Sequence, residues 1–86
     1  MLPKFETVRG TQPGVLIRKA LKERGEKIKV LSDLIGKHQQ TVSAILNGQR
    51  KITPEISIQL GKHFNVDADY FILLYSSYLV SKITKK

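Results

Sequence analysis

The side chains that stand out between Lys37 and Lys51 are suited to binding, and none is placed to react. Gln39, Gln40, Thr41 and Ser43 fall close together, and Lys37, Asn47, Arg50 and Lys51 flank them. A glutamine amide holds a donor and an acceptor in one plane and pairs bidentately with adenine, while hydroxyls serve either kind of base edge. Cations and the Asn47 amide suit phosphate oxygens, contacts that position a duplex without reading it. Residue types for metal or covalent chemistry are absent or scattered. His38 and His63 lie 25 positions apart, with no cysteine in the chain and no carboxylate at ligand spacing, so both read as structural or surface residues. Asp67 and Asp69 open an apolar segment, where acids are expected as helix caps. Neither a glycine-rich phosphate loop nor a nucleophile elbow occurs, so the sequence implies no enzyme, metal or cofactor.

The elements that must position these residues are helices. Val15–Arg24 carries apolar residues at 16, 17, 20 and 21, begins after Pro13-Gly14, and ends at Gly25. Ile28–Ile35 is apolar at 28, 31, 34 and 35 and stops at Gly36. Gln39–Leu46 places Val42, Ile45 and Leu46 on one side, with Asn47-Gly48 as its exit. Thr53-Pro54-Glu55 starts a fourth helix running to about Phe64, with Ser57 and Gly61 small enough for close helix contact. A fifth starts at Asp67 and continues to about Lys82. The connections are short, so the expected fold is an all-α bundle of five helices. Leu31, Ile35, Val42 and Ile45 form the inner corner of a helix-turn-helix at about 28–47. Its second helix would present Gln39, Gln40, Thr41 and Ser43 to the major groove.

Composition agrees with a binding role and bounds the rest. With 86 residues there is room for one domain, 1–86, divided into an N-terminal arm at 1–12, a bundle at 13–82 and a mobile basic tail at 83–86. Lys4–Val8 suggests a short extended segment, either an arm that contacts a partner or a disordered terminus. The net charge of +8 is concentrated in residues 1–51, which carry eleven Lys/Arg against four acids. That half suits a polyanion, although solvating lysines on a small protein would look the same. The most apolar stretch, Phe71–Tyr75, is five residues long, far too short to span a membrane. No apolar leader begins the chain and no cysteine calls for an oxidising compartment, so a soluble cytoplasmic protein is expected.

With these residues in view, the sequence resembles the XRE-type, lambda-repressor-like helix-turn-helix family, and within it the plasmid-maintenance antidote branch of HigA-type antitoxins. The resemblance rests on Pro13-Gly14, on Leu31 with Ile35-Gly36, and above all on the run from Gln40 to Glu55; Tyr70-Phe71 and Tyr78 add to it, and Lys4–Gly10 resembles one version of the branch. It covers roughly residues 4–80. It implies base contacts by Gln39, Gln40 and Ser43, with Thr41 as a further candidate, and backbone contacts by Asn47, Arg50 and Lys51. Two departures shift these expectations. Ile28 stands where the family has a phosphate-binding glutamine, so Lys29 and its neighbour Lys27 are expected to supply phosphate contacts there. His38 and Lys37 replace the usual cap and the valine before it, which leaves the recognition helix poorly capped and makes Lys37 a phosphate contact.

The last helix carries more apolar surface than one small core needs. Phe71, Leu74, Tyr75, Tyr78 and Leu79 are therefore expected to form a dimer or partner interface, with a homodimer on a palindromic double-stranded operator. The functions implied are a repressor that is also the antitoxin of a cognate toxin, a stand-alone or phage-type regulator without a toxin, or a scaffold that has lost DNA binding. Because the chain is so basic, contact with a basic toxin would be mainly apolar or would use local acids such as Glu6, Glu23 and Glu26.

Overall fold

The computed structural model describes residues 2–84, and every regular element among them is a helix: α1 (Phe5–Val8), α2 (Pro13–Arg24), α3 (Ile28–Ile35), α4 (Gln39–Leu46), α5 (Pro54–Phe64) and α6 (Tyr70–Thr84). The five expected helices are all present. Two start earlier or later than the pattern suggested: α2 already includes Pro13, and α6 begins only at Tyr70. Asp67–Asp69 form a turn before α6, in which the Asp67 carbonyl accepts from the Tyr70 N–H at 3.0 Å. None of the helices is long and apolar enough to cross a membrane.

The N-terminal segment differs from the sequence expectation. Phe5–Val8 is a short helix rather than an extended arm. Phe5 and Val8 are three apart, which places both on one helical side, and with Leu2 they pack against the core. Polar contacts fasten the segment to α6: the Tyr70 hydroxyl donates to the Pro3 carbonyl, and the Gly10 N–H donates to Ser77 Oγ at 3.0 Å. At the other end, Ile83 and Thr84 belong to α6, so the tail expected at 83–86 is helical in its first half; Lys85 and Lys86 lie outside the described residues.

One core joins α2 to α6, with Ile17, Leu31, Val42, Leu60, Phe71 and Leu74 almost wholly buried. The tightest approach is between the start of α2 and the end of α4. A Cβ added to Gly14 would lie 1.7 Å from the Leu46 carbonyl oxygen, so no other residue fits without moving a helix. Gln12 secures the same junction. Its Oε1 accepts from the Val15 N–H and caps α2, while its Nε2 donates to the Leu46 carbonyl at 2.8 Å. The small residues of α5 act similarly against α6. Ser57, fully buried, donates to the Ala68 carbonyl at 2.7 Å and accepts from the Ile72 N–H at 3.0 Å. A Cβ on Gly61 would come within 2.8 Å of the Asp67 carbonyl.

Two predictions follow from this packing. Gly14→Ala forces backbone apart, and overpacking of this kind costs about 1–3 kcal/mol or more; a thermal melt is expected to fall by on the order of 10 °C. The second concerns Glu26, whose carboxylate takes hydrogen bonds from Arg24 Nε at 2.9 Å and from His63 Nε2 at 2.8 Å. Arg24 first and His63 second hold its pKa below the ordinary 4.5. A depressed carboxylate stabilises the fold above its unfolded pKa, and that stability is lost as pH falls from the ordinary carboxylate range towards the lower folded value. The melting temperatures of wild type and Glu26→Gln should therefore differ at neutral pH and converge on acidification.

Candidate nucleic-acid interface

Helices α3 and α4 meet through a three-residue turn whose geometry is set locally. Gly36 adopts φ 76°, the left-handed conformation that ends α3, and its N–H donates to the Ser32 carbonyl at 2.9 Å. The Lys37 N–H reaches the same carbonyl at 3.2 Å, and Ser32 Oγ donates back to the Lys37 carbonyl. Leu31, Val42 and Ile45 are buried beneath the turn and Ile35 packs beside them, which is the inner corner expected from the sequence. His38 occupies the N-cap of α4 without a side-chain capping bond, again as expected for a poor cap.

The burial of Val42, Ile45 and Leu46 fixes which way α4 faces. At 100° per residue, Gln40, Ala44 and Asn47 lie opposite that side, with Ser43 next to them. Gln39 and Gln40 are exposed in the first turn, while Thr41 and Ser43 are half-buried. Thr41 lies on the flank of Ile45 and lines an open cleft together with Lys37, Arg50, Lys51 and Thr53. The four residues expected to read bases thus separate: Gln40 and Ser43 are on the outward ridge, Gln39 is beside it, and Thr41 is grouped with the cations. Ala44 was missed by attention to polar residues alone, although its i+4 spacing from Gln40 was visible; a small methyl on this ridge suits the thymine methyl group.

The exit from α4 turns the chain back towards Lys37. The Gln49 and Arg50 N–H groups both donate to the Ala44 carbonyl, at 2.8 and 3.3 Å, and Gly48 takes φ 80°. Arg50 and Lys51 consequently converge with Lys37 across the cleft, three cations without a carboxylate among its lining residues. Clustered like charge favours an anion there. Other expected phosphate contacts are placed differently. Asn47 is exposed, and its Oδ1 accepts from Arg18 Nη2 at 2.9 Å. Lys29 is paired with Asp33 at 3.0 Å within α3 and does not line this cleft. Ile28 packs partly buried against the core, which explains how an apolar residue is accommodated at the start of α3.

The sequence match to known proteins falls on these same elements. Residues 17–71, more than half of the chain, match the profile of the helix-turn-helix family. The chain belongs to that family. It is 33% identical over 75 residues to the HTH-type transcriptional regulator YbaQ of Escherichia coli K12, and equally so to YbaQ of strain CFT073. The match takes in 86% of this chain and 66% of the relatives, so the chain spans slightly less than two thirds of their length. Among solved structures it is similar to PA4674 of Pseudomonas aeruginosa in complex with its 18-base-pair operator DNA, with a TM-score of 0.76 and 27% identity, covering 86% of this chain and 81% of that one.

The expected partner surface on α6 requires correction. Phe71 and Leu74 are 0% exposed and belong to the core, as does Tyr70; Tyr75 packs against it. Tyr78 is half-buried with Lys82 Nζ 5.7 Å from its ring centre, and its hydroxyl lies near Gly48 at the exit of α4. Of the expected set only Leu79 is open. The exposed apolar residues of α6 are Leu73, Leu79, Val80 and Ile83, the last two at 60% and 70%. Alternating open and buried positions along an all-round apolar helix left the two faces indistinguishable until α6 was docked.

Proposed function

We propose that this chain is a sequence-specific DNA-binding transcriptional regulator that inserts α4 into the major groove. The observation that carries this reading is the outward ridge of Gln40, Ser43, Ala44 and Asn47 beside the Lys37–Arg50–Lys51 cleft. The ridge offers Gln40 and Ser43 for hydrogen bonds to base edges and the Ala44 methyl for apolar contact, with Asn47 at its phosphate-facing end, and the cleft offers cations where a phosphate strand would pass. Operator binding by PA4674 and the regulator names of the YbaQ relatives support it. The regulator acts as a repressor on a palindromic operator, as a homodimer that buries Leu73, Leu79, Val80 and Ile83 of α6 and sets two recognition helices about 34 Å apart.

Its finer role is that of an antitoxin repressing its own operon, a reading that rests on the resemblance of the Gln40–Glu55 run to the antidote branch. Of the acids available to a basic toxin, Glu6 and Glu23 are exposed, whereas Glu26 is already engaged by Arg24 and His63. The second reading, a stand-alone regulator, is favoured by the YbaQ names. Co-expression with any adjacent small reading frame separates the two: rescue from its toxicity supports the antitoxin, and a harmless or absent neighbour supports the regulator.

DNA reading is checked by selecting duplexes from a random library and titrating the winner. Gln40→Ala is expected to cost about 1–3 kcal/mol and to relax preference at one position. Arg50→Ala is expected to weaken all sequences alike and to lower the salt slope by about 0.9. Two chains per selected duplex by sedimentation fit the dimer. Wild-type strength in both variants would remove α4 from the interface.

A further inference from the structure

We propose that Arg18, on α2, is a phosphate-binding residue that works with Asn47 to grip the duplex strand passing the C-terminal end of the recognition helix. This inference rests on the DNA-binding reading above and adds a residue from outside the helix-turn-helix. Arg18 is exposed on the side of α2 that faces the end of α4, and its Nη2 donates to Asn47 Oδ1 at 2.9 Å. The junction that brings them together is rigid, because Gly14 and Gln12 lock the first turn of α2 onto the Leu46 carbonyl one residue before Asn47. The guanidinium is therefore delivered to the outward ridge of α4 by packed backbone.

The chemistry of the pair points to an anion. A guanidinium has five N–H donors in a planar fork and no acceptor, so one bond to Asn47 leaves four donors free for a second partner. Because Oδ1 accepts from Arg18, the Asn47 amide keeps two N–H donors for that same partner. Arg18 and Asn47 together present six N–H donors against one remaining Oδ1 lone pair, and a phosphate presents acceptors only. Planar fork recognition of phosphate is the arrangement for which arginine is better suited than lysine. Placement favours phosphate over a base edge, because recognition helices read bases from their N-terminal turns and Arg18 stands at the opposite end. Among the described residues no carboxylate pairs with Arg18, in contrast to Arg24 and Lys29.

A purely structural brace between α2 and α4 makes a different forecast, and salt titration tells them apart. The probes are the duplex selected by wild type and a mixed-sequence duplex. Arg18→Ala is expected to lower the slope of log K against log salt by about 0.9 on both, with base preference unchanged. Arg18→Lys keeps the charge and is expected to hold the slope while binding more weakly than wild type. Melting curves of both variants give the stability cost separately. An Arg18→Ala chain that melts lower yet keeps the wild-type slope and affinity overturns the clamp and leaves a brace. If wild type itself binds neither duplex, the DNA-binding reading falls and the clamp falls with it. If wild type binds and only Arg18→Ala is silent, the clamp alone is lost.

Discussion

The approach of Gly14 to the Leu46 carbonyl is the constraint on which the geometry of this protein depends. At that point the first turn of α2 meets the last residue of α4, closer than any side chain allows. The contact is electrostatically favourable, since the positive end of one helix faces the negative end of the other. Gln12 uses both ends of its amide there, capping α2 with its oxygen and satisfying the Leu46 carbonyl with its nitrogen. A carbonyl left exposed by the end of α4 is thereby bonded, and the recognition helix is tied to the body of the protein at its C-terminal end. The outward ridge of α4, the exit turn at Gly48 and the Arg18–Asn47 pair all take their positions from this junction.

The remaining helices hold α3 and α4 from behind. Ser57 and Gly61 let α5 sit against the turn before α6, and the buried Ser57 hydroxyl donates to Ala68 in that turn and accepts from Ile72 in α6. Gln59 Nε2 reaches the Leu34 carbonyl at 3.3 Å, linking α5 to the end of α3. Among the described residues no buried side-chain polar atom lacks a partner, so the polar groups in this small core contribute specificity of packing without a desolvation debt. The N-terminal segment completes the body by folding onto α6, where Phe5 and Val8 cover apolar surface that would otherwise face water.

The cationic cleft and most of the exposed apolar residues lie on different elements. The cations of the exit loop converge with Lys37 on one side of α4, whereas the exposed large apolar residues are Leu73, Leu79, Val80 and Ile83 along α6, with Val15 on α2 and Ile58 on α5. The depressed pKa of Glu26 belongs to neither set. It follows from the Arg24 and His63 contacts that tie the end of α2 to α5, and it makes that corner sensitive to acid.

Much of this was legible in the sequence because it is local. Helix starts and stops follow from Gly25, Gly36 and Thr53-Pro54, and the corner of the helix-turn-helix follows from Leu31, Ile35, Val42 and Ile45 at helical spacing. The base-facing candidates Gln40 and Ser43 were readable for the same reason, since the apolar residues of an eight-residue helix fix its inner side. Tertiary structure alone decided what depends on contacts between distant segments. Lys37 meets Arg50 and Lys51 only because the chain turns back after Gly48, and Arg18 meets Asn47 across 29 positions only because α2 and α4 touch at a glycine. Tertiary structure also turned Phe71 and Leu74 inward, settled α6 as apolar on both sides, and drew Phe5–Val8 into a helix. A pattern along the chain specifies a helix and its greasy side; which neighbour covers that side is a property of the packed molecule.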